Sequence, residues 1–317
     1  MAAFPAISIV IPAHNRPDLL LRAVRSVFDQ TLLPRELIVV DDGSSPPVVQ
    51  TVFEGAPAGM RTSLLRTEAP QGAAAARNRG VEHATGDWIA FLDDDDAFMP
   101  EKIQSVAEAI GLNPDADLFY HPAEIRMVRE EISYRSGARP LGGGEAQTRV
   151  LLVRNLVGGT SMVVVKKTCL LEAGGFDGEM PALEDHALWI RLSLNGCRFH
   201  FIDKPLTRYH HDTGSLSLTH SFEKEEKAQE HMMLKFAREY ASLSKAETKA
   251  MVRYRMKTKV FKALLNNKSR LAFKWQAKVF IQSFRLTDLL GLLVIPVGRK
   301  TVFRLRSFRG FCQRKPR

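Results

Sequence analysis

Four consecutive aspartates, Asp93 to Asp96, follow the apolar run Trp88-Ile89-Ala90-Phe91-Leu92. Carboxylate oxygens are hard ligands, and a strand that delivers several of them to a sheet edge can hold a divalent cation against substrate phosphates. The same residues also read as an acidic turn that ends the strand and caps the helix after Pro100, since Asp is favoured in turns and at N-caps. Either way, repulsion between adjacent like charges must be offset. A second acidic pair, Glu184-Asp185, stands just before Leu188-Trp189-Ile190-Arg191-Leu192 at the start of a helical pattern. Such a pair complements a helix dipole, yet neighbours on a helix point about 100° apart, so only one can face a site.

These residues need a frame, and the first half of the chain supplies one. Ile7–Ile11, Leu37–Val40, Ser63–Leu65 and Trp88–Leu92 read as short buried strands, the second ending at the turn signal Asp41-Asp42-Gly43. Between them, Pro17–Gln30 reads as a helix with Leu20, Val24, Val27 and Phe28 on one face, and Gly72–Ala84 as an Ala-rich helix. Repeated strand-helix-strand units with uninterrupted apolar strands predict a parallel sheet covered on both faces, the doubly wound α/β class. Ligands of such sheets bind at the carboxyl ends of the strands, where His14-Asn15-Arg16, Asp41-Asp42 and Asp93–Asp96 all fall. Further on, Met162–Val165, Phe199–Ile202 and Leu206–His211 read as strands and Glu184–Leu194 as a helix, while segment 120–160 carries no interpretable motif. From Ser221 onward the pattern is helical and increasingly basic, which places a boundary near residue 220.

No G-x-G-x-x-G and no P-loop follows the first strand, which disfavours a dinucleotide-binding fold. Pro12-Ala13-His14-Asn15-Arg16 stands there instead. Together with Val39-Val40-Asp41-Asp42-Gly43-Ser44-Ser45, Ala76-Arg77-Asn78-Arg79-Gly80 and the segment from Gly86 to Asp96, it resembles glycosyltransferase family 2. The resemblance covers roughly residues 6–217. It implies a GT-A fold, a Rossmann-like sandwich with a central, mostly parallel sheet, and a nucleotide-sugar donor. On that basis residues 1–220 form the catalytic domain, with a nucleotide-sugar-binding half over about 1–100 and an acceptor half over about 101–220, and residues 221–317 form a basic helical appendage.

The resemblance also assigns roles. Pro12, Ala13, Asn15, Asp41, Asp42 and Arg77 match the family's nucleotide-sugar contacts, and Asp93 and Asp94 are grouped with them. The family's D-x-D motif falls on Asp93 and Asp95, with Asp96 beside it, and implies Mn²⁺ or Mg²⁺ held against the donor diphosphate. If strand geometry persisted, alternation would pair Asp93 with Asp95 or Asp94 with Asp96, and Asp95 is the preferred ligand. Asp185 matches the family's general base, with Glu184 as the alternative. Its task would be to take the proton of an acceptor hydroxyl as that oxygen attacks opposite the diphosphate, inverting configuration. One stretch departs from the family pattern: in Arg208-Tyr209-His210-His211-Asp212-Thr213-Gly214-Ser215, Asp212 occupies the place of a histidine. His211 fills that place after a one-residue shift, as a metal or diphosphate ligand; alternatively the histidines merely end a strand.

Composition sets the remaining bounds. A chain of 317 residues, 45% hydrophobic and 25% charged, is ordinary for a globular protein. Its net charge of +10 is uneven: residues 1–250 carry 27 Lys and Arg against 34 Asp and Glu, whereas residues 251–317 carry 18 against 1. In the tail, Phe273, Ala277, Phe280 and Phe284 recur at helical spacing beside Arg270, Lys274 and Lys278. That pattern suits an anionic membrane surface, or an apolar stripe packed on the catalytic domain. Nucleic acid is not expected, since no recognised module accompanies the charge. Cys169, Cys197 and Cys312 form no C-x-x-C pair and suggest a reducing cytosol rather than a disulfide framework or zinc site. No cation precedes the apolar stretch Ile7–Pro12, so no secretory leader is expected, and Leu289–Val297 is about half the length of a membrane span.

The expectation is thus an inverting, metal-dependent glycosyltransferase that uses a nucleotide-sugar, taken as a UDP-sugar, on a glycan or lipid-linked acceptor. It would work in cell-surface polysaccharide synthesis, peripheral on the cytoplasmic face of the plasma membrane. The alternatives are a nucleotidyltransferase of related sheet architecture, whose Gly-rich phosphate loop is missing after the first strand, and a non-enzymatic membrane-associated scaffold.

Overall fold

The computed structural model describes residues 4–211 and 222–312. Its strands are β1 (Ile7–Ala13), β2 (Glu36–Asp42), β3 (Arg61–Thr67), β4 (Trp88–Phe91), β5 (Ala97–Phe98), β6 (Leu118–Tyr120), β7 (Ala123–Met127), β8 (Ile132–Arg135), β9 (Val163–Lys166), β10 (Phe199–Phe201) and β11 (Thr207–His211). Seven of them form the main sheet in the order β10-β6-β9-β4-β1-β2-β3. The four strands expected in the first half of the sequence are its parallel half, with β1 pairing β2 and β4, and β2 pairing β3. Strand β9 runs antiparallel to both of its neighbours, β4 and β6. The sheet is therefore mixed but mostly parallel, as the resemblance implied.

Alternation along the strands divides the core in two. Ile9, Ile11, Leu37 and Val39 face one side with Trp88 and Ala90, whereas Val10, Ile38, Val40, Ile89 and Phe91 face the other. The first side is covered by α1 (Pro17–Phe28), which starts with Pro at N1 and buries Leu20, Val24 and Val27, and by α3 (Lys102–Leu112). On the second side lie α2 (Ala73–His83), α4 (Glu145–Val153), α5 (Lys167–Glu172) and α6 (Glu184–Leu194). Small residues let α2 lie close to β1: a Cβ added at Gly80 would sit 2.3 Å from a methyl of the buried Val10.

A second sheet, β5-β11-β7-β8, stands beside the first. Leu206–His211 was expected as a strand; β11 takes that place, yet it pairs β7 in parallel and β5 antiparallel, outside the main sheet. The apolar face of this sheet, with Ile125, Met127 and Ile132, packs on α9 (Lys245–Leu265), α10 (Ser269–Ser283) and α12 (Arg299–Cys312). Before them come α7 (Phe222–Lys235) and α8 (Ala237–Ala241), which add Ala228, Met232 and Tyr240 to the main core. The helices beyond the expected boundary near residue 220 thus share cores with the strands and helices before it. The stripe expected from Phe273 to Phe284 is likewise displaced. Ala272, Gln276 and Val279 are the buried residues of α10, and Phe273 and Phe284 are exposed. Cys169 and Cys197 are free thiols that hydrogen-bond to each other despite their separation in sequence.

Helix propensity favours Ala over Gly by about 1 kcal/mol, whereas overpacking a β-branched core neighbour costs about 1–3 kcal/mol. Gly80→Ala should therefore destabilise the protein by about 1–2 kcal/mol in urea unfolding. A gain in stability would show that α2 can move away from β1 freely.

Candidate active site

The aspartate run is a turn, not a continuation of β4. The strand ends at Phe91, and the Asp96 N–H donates to the Asp93 carbonyl (3.0 Å), so strand alternation does not decide which carboxylates converge. Their side chains divide among several partners. Asp93 accepts from Arg77 (2.7 Å) and from the Thr160 hydroxyl (3.1 Å). Asp94 and Asp95 share the Arg16 guanidinium at 3.2 and 2.9 Å, and Arg22 donates to the Asp95 carbonyl. Asp96 turns inward: it is fully buried, one oxygen accepts the His210 N–H (3.2 Å), and the other has no hydrogen-bond partner. Beneath it lies Lys102, also fully buried, donating to the Ser161 carbonyl (2.6 Å).

This arrangement leaves the acids short of positive charge. Burial, then Asp95, pushes the Asp94 carboxyl up to about 6, although Arg16 opposes the rise. Burial and then Asp93 raise Asp95; burial, with Asp95 and Asp93, lifts Asp96 well above the carboxylate range. Buried carboxylates crowded beyond what the cations neutralise fit a divalent cation, whose hard charge would relieve them. Among the described residues no three acidic, His or Cys side chains form a preformed metal cage. A cation here would take one or two carboxylates and complete its shell from phosphate and water, the usual habit of Mg²⁺.

Arg77 joins this run to the second acidic pair. Only 5% exposed, it rises from α2 over the ring of Phe176 (5.3 Å to the centroid) and donates one nitrogen to Asp93 and the other to Glu184 (2.9 Å). Burial opposes its charge, but the two carboxylates more than compensate and keep it protonated. The resemblance counts Arg77 among the nucleotide-sugar contacts; in the structure it is a strut between two acidic segments. Glu184 is tied to it through one oxygen, and Asp185 accepts the His186 N–H (2.6 Å) through one of its own. Burial and the neighbouring Glu184 push Asp185 up to about 7. Leu183, just before this helix, has φ of 60°, a left-handed conformation uncommon for a branched residue and of the kind that clusters at functional sites.

The first two strand ends form the other wall. Pro12 and Ala13 close β1 in register with Val40 and Asp41. Asn15 adopts φ of 53°, which Asn tolerates, and its side chain accepts the Ser45 N–H (2.8 Å). Asp41 is fully buried and accepts from Ser44 N–H (2.9 Å), Val48 N–H (3.1 Å) and Arg66; burial alone would raise its pKa, and these bonds lower it. Asp42 takes the Thr67 hydroxyl (3.0 Å) and the Gln71 and Gly72 N–H groups (both 2.8 Å), pinning the entry to α2. The resemblance counts both among the nucleotide-sugar contacts; in the structure their oxygens hold the loops at these strand ends.

His211, open between a ligand and a residue that merely ends a strand, is the last residue of β11. Its ring packs on Tyr209 (4.9 Å between centroids) and Phe261 (6.0 Å), on the face of β11 turned to α9. Alternation then gives the aspartates to His210, whose ring hydrogen-bonds to the Asp95 carbonyl and whose pKa falls to about 4 through burial and then Arg22. Asp212 lies outside the described residues. Arg16, Arg22, Lys102, Thr160 and Ser161 were not singled out as site residues, because a cation or hydroxyl within a helix or loop carries no spacing signal of its own.

Known proteins resemble this chain in sequence and in fold. The family described as Glycosyl transferase family 2 matches residues 8–168. An uncharacterized glycosyltransferase of Haemophilus influenzae is 37% identical over 59% of this chain and 61% of its own length, so the chain spans about three fifths of that relative. The amylovoran biosynthesis glycosyltransferase AmsB of Erwinia amylovora is 28% identical over 64% of this chain and 69% of its own. In fold, S. aureus TarS 1-349 in complex with UDP-GlcNAc superimposes with a TM-score of 0.59 at 16% identity, covering 96% of this chain and 89% of that one. The mannosyltransferase PcManGT of Pyrobaculum calidifontis, in complex with GDP-Man and Mn²⁺, gives 0.55 at 14% identity, covering 99% and 89%.

A carboxyl whose folded-state pKa is raised destabilises the fold once ionised: not at all below its ordinary value of 3.8, and fully above about 6 for Asp94. Asp94→Asn should therefore raise the unfolding free energy by about 1–2 kcal/mol at pH 8 and change it little at about pH 3.5. Equal effects at both pH values would contradict the crowding.

Proposed function

The chain belongs to glycosyltransferase family 2 and is a glycosyltransferase with the GT-A fold; from that premise we propose that it transfers a sugar from a nucleotide-sugar, taken as a UDP-sugar, to a hydroxyl of a glycan or lipid-linked acceptor, with inversion. The observation that carries the proposal is the Arg77 bridge, which brings the aspartate run and Glu184-Asp185 into one crevice at the carboxyl ends of β1, β2 and β4. UDP-GlcNAc and GDP-Man in two proteins of like fold support a nucleotide-sugar donor, and a relative named for amylovoran biosynthesis supports a place in cell-surface polysaccharide synthesis.

Each group has a task. Loops Pro12–Asn15 and Asp41–Ser45, organised by Asp41 and Asp42, wall the nucleotide side. Asp95 and Asp93, with Asp96 behind them, would hold Mn²⁺ or Mg²⁺; when bound, the ion neutralises the charge that a nucleoside diphosphate develops on leaving. Arg77, charged and fixed, keeps Asp93 oriented and draws Glu184 away from the acceptor. Asp185 takes the acceptor proton: a carboxyl near 7 is basic enough to accept it and still ionised at neutral pH. Acceptors of this kind are presented at the cytoplasmic face of the plasma membrane, and the basic C-terminal helices suit a peripheral position there.

Asp185→Asn should leave donor binding intact and lower transfer by about 10³-fold, since positioned general bases supply about 10²–10⁴. In the parent enzyme the rate should rise with pH and level off above about 7, as the Asp185 proton is lost. Unchanged transfer in the variant would place the base elsewhere. For the metal, calorimetry of UDP-sugar binding with Mn²⁺ and with EDTA should show a divalent-dependent component that Asp95→Ala removes. Binding indifferent to both would overturn that assignment.

A further inference from the structure

Helix α11 (Leu286–Val294) is built inside out. Asp288, the only acidic residue between 251 and 317, is its buried residue at 1% exposure. It is held by Arg253 and Lys257 of α9, by the Ser283 hydroxyl (2.6 Å), and through its carbonyl by Gln276 of α10 (2.7 Å). The carboxylate is thereby fixed in charged form: burial pushes it up, but those bonds bring it down to about 2. With the polar residue locked inward, the leucines turn outward. Leu286 and Leu293 are 69% and 64% exposed, Leu289 and Leu290 are exposed beside them, and Ile281 and Phe284 at the end of α10 continue the patch. Water is a poor solvent for such a surface, and an uncovered apolar patch marks an interaction face.

Its rim identifies the partner. Arg270, Lys274 and Lys278 stand exposed at intervals of four along α10, Arg285 lies between the helices, and Lys300 and Arg304 follow on α12. Within residues 251–317 the one acid is the buried Asp288, so a second copy docking face to face would bring like charges together. An apolar centre within a cationic rim matches an anionic bilayer, where leucines enter the headgroup boundary and cations meet phosphates. The helices are not spans: among the described residues no helix is long and apolar enough to cross a membrane.

We propose that the face formed by the end of α10 and by α11 docks the enzyme on an anionic lipid bilayer, presenting the crevice to an acceptor anchored there. The choice of acceptor rests on the proposed function; the docking itself can be read without any acceptor. The test is flotation of the full chain with vesicles of phosphatidylcholine alone and of phosphatidylcholine mixed with phosphatidylglycerol. The protein should float with the anionic vesicles only, and Leu289→Glu combined with Leu293→Glu should reduce partitioning by about tenfold or more. Lys274→Glu with Lys278→Glu should also weaken it, and added salt should weaken the parent protein's binding. Thermal melting and UDP-sugar calorimetry should match the parent in all variants, since the substituted residues are exposed and distant from Arg77 in packing. The proposal is overturned if the parent stays at the bottom of the gradient with phosphatidylglycerol, or if the leucine variant floats as well as the parent. It is equally overturned if the parent elutes as a dimer that the leucine substitutions disperse, because a second copy then covers the face. Flotation of a chain that binds no donor would uphold the surface and count instead against the enzymatic reading.

Discussion

A single buried guanidinium determines whether this protein has one site or two unrelated acidic segments. Arg77 spans Asp93, at the end of the parallel half of the sheet, and Glu184, at the start of a helix far along the chain. Two carboxylates that close would repel, and both lie in a partly desolvated place where the repulsion is strong. Removing the central cation from a buried pair typically costs about 3–5 kcal/mol, because it strands the partner charge. The packing around it follows: Phe176 lies under the guanidinium, and Asn78, on the same helix, binds the Phe176 backbone at 2.7 and 2.8 Å. The Ala-rich α2 and Gly80 bring that helix close enough to β1 for Arg77 to reach both acids.

The aspartate run shows the opposite balance. Arg16, Arg22, Arg77 and Lys102 surround it, yet Asp94, Asp95 and Asp96 still resist ionisation. Natural proteins accept such local cost at functional sites and offset it with the rest of the fold. Two full hydrophobic layers on the main sheet provide that reserve. The left-handed Leu183 before Glu184 is a second cost of the same kind, setting the angle at which Asp185 enters the crevice.

The C-terminal helices repeat this logic with one buried acid. Asp288 ties α11 to α9, and that tie turns the leucines of α11 outward. Charge and packing therefore divide the chain differently. Its basicity begins near residue 251, but helices before that point already join the cores, since α7 and α8 complete the main layer and α9, α10 and α12 pack on the second sheet.

How much was legible in the sequence follows from the range of each interaction. Apolar runs closed by turn residues made β1, β2, β3 and β4 readable, since a buried strand is a local pattern, and strand-end residues then pointed to the crevice. Membership of the family was legible in Pro12–Arg16, Val39–Ser45, Ala76–Gly80 and Gly86–Asp96. The antiparallel direction of β9, the second sheet and the side-chain partners were not, because each depends on which distant segment arrives alongside. Spacing could not tell His210 from His211, since strand pairing determines which face meets the aspartates. Nor could helical periodicity foresee α11, where a buried ion pair from another helix overrides the usual rule that leucine turns inward. The sequence by itself determined the class of fold and the acids available for chemistry, both carried by local order. Only the tertiary structure decided which acids share a cation and which way the last helices face, because those depend on charges and surfaces that meet across the chain.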